Sequence, residues 1–218
     1  MSSQTTSRPR GRPSAPVLSR ERITRAAIRI VGTRDYRHLT MAALARELGV
    51  STSALYNHVS SKRDLLVMIQ ESLNGEIDCS SFETKPWHEA LWDWAVSYRL
   101  CFIRHTALIP VMAVLPVADS PRTLEMYERV TRGLDEAGIP EDQTVDVIVG
   151  IEALVFGAAY DASAPQNIFD PGGRADLAPV FTRAAARRPA DARTAADRAF
   201  ELALGAQIAG LRARFGTA

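Results

Sequence analysis

The sequence predicts an all-α protein, built as a small three-helix head joined to a larger helical body. Three observations predict it. No segment alternates apolar and polar residues as a strand would. Apolar residues recur instead at three- and four-residue intervals. Serine and threonine residues stand just before several of these periodic runs, where they can cap helices. With 46% apolar residues among 218, the chain can bury a substantial core.

The first eighteen residues are polar, hold three prolines and are expected to be a disordered basic arm. Ser19 can cap a first helix with an apolar face of Ile23, Ala27, Ile30 and Val31, ended by Gly32. Thr40 can cap a second helix from Met41 to Leu48, stopped by Gly49. Ser51 can cap a third, running through Val59. Ser61, with Asp64 three residues on, has the form of a capping box opening a fourth helix with Leu65, Leu66, Ile69, Leu73 and Ile77 at helical spacing. The head is accordingly placed at 19–65 and the body at 66–218.

Within the body, Trp87 to His105 reads as one long aromatic helix, and Pro110 and Pro116 bound a short piece. Ser120 to Ala137 is a helix stopped by Gly138 and Pro140. Asp142 to Ala162 is nearly all apolar. A loop rich in Pro, Gly, Ala and Arg follows, with one short helix near Ala175–Arg187, and Asp191 to Phe215 closes the chain as a last long helix.

Charge is divided unevenly. Residues 1–63 hold twelve Lys and Arg against three acids, while the remainder holds fourteen against twenty-two. The net charge of +1 therefore hides a basic head on an acidic body, which points to a polyanionic partner for the head. Cys79 and Cys101 are too few for a disulfide framework and read as free thiols of a cytoplasmic protein. No secretory signal is expected at the polar N-terminus, and no membrane span, because no run of about 18 apolar residues occurs.

The stretch "LARELGVSTSALYNHV", Leu44 to Val59, carries the chemistry. A helix-turn-helix needs a small residue where its helices cross, a glycine in the turn and apolar residues that lock the second helix to the first. Ala45, Gly49 and the set Leu44, Leu48, Val50 and Leu55 supply these. The outward residues Thr52, Ser53, Tyr56, Asn57 and His58 are polar, as partners of base edges and phosphates must be. Lys62, opening the next helix, can reach a phosphate, where the helix N-terminus adds backbone donors. The bland alternative is a solvated face on an ordinary surface helix. His58 as a metal ligand or a base lacks any His, Cys or acid cluster at ligand spacing.

"LTMAALARELGVSTSALYNHVSSKRDLL", Leu39 to Leu66, resembles the DNA-binding signature of the TetR family of transcriptional regulators. That resemblance implies a helical homodimer on double-stranded DNA with a body that binds a small-molecule effector. It implies that Thr52 and Ser53 read bases, and that Thr40, Tyr56, His58 and Lys62 hold phosphates. In the arm, "PRGRP", Pro9 to Pro13, resembles the core of an AT-hook, so that Arg10 and Arg12 would lie in a narrow minor groove. The alternative is a basic tail of non-specific affinity.

"PWHEALWDWAVSYRLCFIRH" and "AFELALGAQIAGLRARF" resemble, more weakly, the first and last body helices of the tetracycline-repressor branch. Met112 and Ala153 stand near positions where that branch has metal-binding histidines, and Asp161 near its acidic ligand, so no metal is expected. The expected effector is apolar or aromatic, lined by Trp92, Tyr98, Phe102, Met112, Met126, Tyr127, Phe156 and Tyr160. Glu152, inside "VIVGIEALVFG", would be costly if buried alone; it anchors a cationic ligand, pairs with an arginine or faces solvent. The two helices 142–162 and 191–215 carry Gly150, Gly157, Ala158, Ala159, Gly205, Ala206, Ala209 and Gly210, which suit close approach of two chains or close packing inside one. No nucleophile motif or phosphate-cradling glycine loop occurs, so neither enzymatic activity nor a cofactor is expected. Two functions remain: a repressor released from a palindromic operator by its effector, and an effector-independent architectural protein on A·T-rich DNA.

Overall fold

A computed structural model describes residues 18–216, so the arm with Arg10 and Arg12 lies outside the described residues. Ten α-helices follow in order: α1 (Arg20–Arg34), α2 (Met41–Leu48), α3 (Thr52–Tyr56), α4 (Lys62–Asn74), α5 (Trp87–Ile103), α6 (Ile109–Met112), α7 (Pro121–Glu136), α8 (Glu141–Asp161), α9 (Pro179–Ala185) and α10 (Ala192–Phe215). Short 3-10 turns join several of them, and no strand occurs among the described residues.

The expected caps start α1 to α4, and a cap the sequence reading did not name starts α10. The hydroxyls of Ser19, Thr40, Ser51 and Ser61 accept from the N–H groups of Arg22, Ala43, Ala54 and Asp64, and the Asp191 carboxylate accepts from Thr194 N–H. Each satisfies an orphan donor, worth about 1 kcal/mol. The reciprocal bond of the predicted capping box reaches one residue further back: Asp64 accepts from Ser60 N–H at 2.9 Å and from the Ser60 hydroxyl at 3.2 Å.

Two boundaries differ from expectation. α1 runs through Gly32 and ends at Asp35, whose φ of 79° breaks the helix while its N–H still donates to Val31. A mid-helix glycine costs only about 0.5–1 kcal/mol, and past it the Thr33 hydroxyl donates to the Arg29 carbonyl at 2.9 Å. α3 ends at Tyr56 instead of running through Val59, and Asn57 and His58 form a turn in which His58 N–H donates to Leu55. Val59 N–H still donates to the Leu55 carbonyl at 3.0 Å, and both side chains are fully buried.

The head is α1 packed on α2 and α4, with α3 held against α2. Gly49 adopts the left-handed conformation the turn requires, at φ 68° and ψ 32°. Leu44, Leu48 and Leu55 are buried, and Val50 is half-buried against them. α4 then leaves the head and packs on α7. Glu71 on α4 accepts from the Ser120 hydroxyl and from Arg122 N–H at 2.9 Å, so a carboxylate from another helix caps the start of α7. Asn74 Nδ2 adds a buried bond to the Thr123 hydroxyl.

The body centres on α5, which packs chiefly on α8 and also on α10 and α7. Trp94 and Phe102 are among its fully buried large side chains. α8 is long and apolar enough by length and composition to cross a membrane, a property the sequence reading did not anticipate. Its buried face, Thr144, Val147, Ile148, Ile151, Val155 and Ala159, packs into the body. Its other stripe, Val145, Val149, Ala153 and Gly157, is exposed. A Cβ at Gly150 would meet Gln207 Nε2 at 3.0 Å and one at Gly205 would meet Trp92, whereas Gly157 and Gly210 have nothing within 4 Å.

Candidate nucleic-acid interface and effector core

The exposed end of the head is built from α3 and the N-termini of α2 and α4. Thr52, Ser53, Tyr56 and Asn57 are exposed, with Tyr56 at 54%, while Leu55 between them is fully buried. One apolar side chain thus fixes the helix and leaves its polar neighbours outward. Asn57 caps the end of α3, and His58 is half-buried in the turn, so neither belongs to the helix face on which the sequence reading put them.

Thr40 is exposed at the start of α2, its hydroxyl accepting from Ala43 N–H at 3.1 Å. A hydroxyl in that role can still donate outward, to a phosphate oxygen. Lys62, the first residue of α4, is exposed, and its ammonium lies 4.3 Å from the centroid of the Tyr36 ring. That cation–π contact holds the lysine without neutralising it. Tyr36 is a member of the site that sequence reasoning missed, since the 25 residues between them carry no pattern linking the two.

Arg20 is a second omission. Its guanidinium donates to the His58 carbonyl at 2.8 Å and to Asp64 Oδ1 at 3.0 Å. Asp64 Oδ2 in turn holds Ser60. Together these bonds hold the Asp64 carboxyl below the usual aspartate range, against the opposing effect of its partial burial. As an exposed ion pair this is worth about 0–1 kcal/mol at most. Its structural consequence is larger, because it fixes the turn between α3 and α4 to the start of α1.

In the body, the structure gathers part of the predicted lining. The phenols of Tyr98 and Tyr127 both donate to Glu152 Oε1, at 3.0 and 2.6 Å. Tyr98, Phe102 and Phe156 stack around them with ring centroids 5.0–5.6 Å apart. Met112 and Met126 are buried in the same core. Trp92 and Tyr160 are not part of this group: Trp92 lines a shallow groove of about 270 Å³ with Lys85, His88 and Asp93, and Tyr160 is exposed near the end of α8. Glu152 is half-buried, and its hydrogen-bond partners are two phenols, from α5 and α7, in place of an arginine. Burial raises its pKa, and the phenol bonds oppose that rise. Burial and the Glu152 charge push both phenols upward, so they remain donors.

Arg99 is a buried charge the sequence reading did not single out. It is 5% exposed, pairs with Asp197 at 2.7 Å and stacks on Phe200 at 4.8 Å, tying α5 to α10. Among the described residues no three His, Cys, Asp or Glu side chains stand together as a metal set. Cys79 and Cys101 are both free and buried, and burial raises the Cys101 thiol to about 11.

An all-helical chain with a helix-turn-helix head and a separate helical body defines a class of two-domain DNA-binding regulators. Residues 23–69 match the family described as "Bacterial regulatory proteins, tetR family", and residues 82–215 match "Tetracyclin repressor-like, C-terminal domain". The chain belongs to the TetR family. It is 28% identical to the HTH-type transcriptional repressor DrrR1 of Streptomyces coeruleorubidus over 71% of this chain, a match that spans 57% of that repressor's length. It is also 28% identical to the class A tetracycline repressor of transposon 1721 from Escherichia coli, over 88% of this chain and 89% of that one. The solved structure of apo ActR from Streptomyces coelicolor superimposes with a TM-score of 0.73 at 25% identity, covering 90% of this chain and 95% of that one.

Proposed function

We propose that the chain is a repressor that binds a palindromic operator as a homodimer and leaves it when a small molecule occupies the body. The observation that carries this reading is the outward set Thr52, Ser53 and Tyr56 on a helix anchored by Leu55, flanked by the exposed Lys62. In that role Thr52 and Ser53 read base edges. Tyr56, Thr40, His58 and Lys62 position the head on phosphates, and Asn57 lies beside them. The exposed α8 stripe, continued on α10 by Ala199, Leu202, Ala206 and Ala209, offers an apolar face for a second copy.

Release follows from α4, which belongs to the head at Lys62 and is bonded to α7 through Glu71 and Asn74. A ligand that prefers one placement of α7 changes the separation of the two heads, by no more than its differential affinity for the two states. The aromatic core around Glu152, with Tyr98, Tyr127, Phe102 and Phe156, is the part of the body that such a ligand would remodel.

Selection of bound fragments from random duplex DNA tests this function. One palindromic sequence should emerge, bound at least about a thousandfold more tightly than random A·T-rich duplex. Thr52→Ala or Ser53→Ala should change the selected bases, whereas Lys62→Ala should weaken every duplex alike and lower the slope of log affinity against log salt by about 1. Comparable affinity for the selected and the random A·T-rich duplexes would instead support the architectural reading.

A further inference from the structure

Lys62 stands at an unfavourable place for a cation. It is the first residue of α4, and Arg63 follows it. The N-terminus of a helix carries partial positive charge, so cations are favoured at the other end. Arg63 is balanced there, its Nη2 lying 3.1 Å from Asp119 Oδ2. No hydrogen bond or ion pair holds Lys62 among the described residues; its ammonium rests on the Tyr36 ring.

The ring is itself held in place. Asp35, the residue before it, has φ 79° and ψ 154°, backbone that residues other than glycine rarely adopt. Its N–H donates to the Val31 carbonyl at 3.0 Å, and its carboxylate accepts from Arg37 N–H and Arg37 Nη2, both at 3.2 Å. These bonds keep the bend and leave Asp35 and Arg37 balanced in charge. Tyr36 is half-buried against the core, and Leu39, which follows the same turn, is fully buried. A strained bend anchored at both ends therefore delivers one aromatic face to the start of α4.

We infer that Tyr36 is a positioning residue for DNA binding, whose ring holds the Lys62 ammonium ready for a phosphate. The inference rests on the repressor reading, which gives Lys62 its phosphate. A lysine side chain has many rotamers to lose on binding, and one already resting on a ring loses fewer. The ring is neutral, so the full charge stays available. An ammonium has three donors, so contact with the ring face leaves others for phosphate oxygens.

Tyr36→Leu keeps an apolar side chain in the core and removes the ring, whereas Tyr36→Phe keeps the ring. Fluorescence anisotropy of the full chain, on the selected operator and on a random duplex, compares them. Tyr36→Leu should weaken both duplexes about five- to thirtyfold, the two- to fivefold of one exposed cation–π contact taken for each of two heads. Tyr36→Phe should bind as the unsubstituted chain does. Neither change should alter the slope of log affinity against log salt, because no charge is removed. In a Lys62→Ala background, Tyr36→Leu should cost nothing further. Without DNA, proton resonances of the Lys62 ε-methylene should lie upfield under the ring current and return to ordinary lysine positions in Tyr36→Leu. The inference is overturned if Tyr36→Leu binds as tightly as the unsubstituted chain, if it costs as much in the Lys62→Ala background, or if the upfield shift is absent. Weakening of every duplex by Tyr36→Leu with no palindrome selected would support it and count against the operator reading alone.

Discussion

Glu152 shows how one side chain can be visible in a sequence and its environment not. Its place in an apolar run marked it, but its partners, Tyr98 and Tyr127, lie 54 and 25 residues away on other helices. Because burial raises its pKa in the folded state above the ordinary 4.5, the native protein binds this proton more tightly than the unfolded chain. The stability it contributes is therefore fully present below the unfolded value and is lost as pH rises through the raised one. Glu152→Gln should flatten that part of the stability–pH curve, measured by urea denaturation from pH 4 upward. An unchanged slope would show that the carboxylate is not the titrating group. Arg99 has the same kind of history: its stabilising partner, Asp197, is 98 residues away, and no local pattern connects them.

At the scale of elements, the starts of helices were legible because single side chains decide them. Ser19, Thr40, Ser51 and Ser61 cap as read from the sequence, whereas Asp191, read as the first residue of the last helix, caps it, and α5 and α8 start without a side-chain cap bond. Ends were less legible. α1 passes Gly32 and is broken only by the positive φ of Asp35, and α3 ends at Tyr56 although Val59 N–H still bonds the Leu55 carbonyl. The turn after α3 depends on Arg20, which is a positioning residue: it grips the His58 carbonyl and Asp64 from α1. Arg20→Gln should weaken operator binding several-fold while leaving the salt slope unchanged, since no phosphate contact is lost. A slope lowered by about 1, as expected for Lys62→Ala, would show that Arg20 touches the backbone of the DNA instead. Adding Asp64→Asn to Arg20→Gln should cost little more, because the two act as one unit.

For the whole molecule, the uneven charge and the exposed apolar stripe make the same demand. A basic head on an acidic body favours DNA at one end only, and the α8–α10 face leaves Val145, Val149 and Leu202 in water at 65%, 54% and 77% exposure. In the proposed dimer, pairing two copies through that face would cover these side chains. A charge placed there, as in Leu202→Glu with Val149→Glu, should give a monomer in sedimentation equilibrium that keeps its helices but loses tight operator binding. A doubly substituted protein that still sediments as a dimer would move the pairing surface elsewhere. The family was legible in the head, where a compact motif fixes the geometry. The Tyr36 platform inside it was not, because it depends on a backbone bend at Asp35 that no residue pattern marks.

The central claim is that paired heads enter successive turns of one DNA duplex, and hydroxyl-radical footprinting of the full chain on its selected operator measures it most directly. Two protected half-sites with centres one helical turn apart, 10–10.5 base pairs or a multiple of it, are the predicted result. A single unpaired footprint, or protection with no fixed spacing, would contradict it.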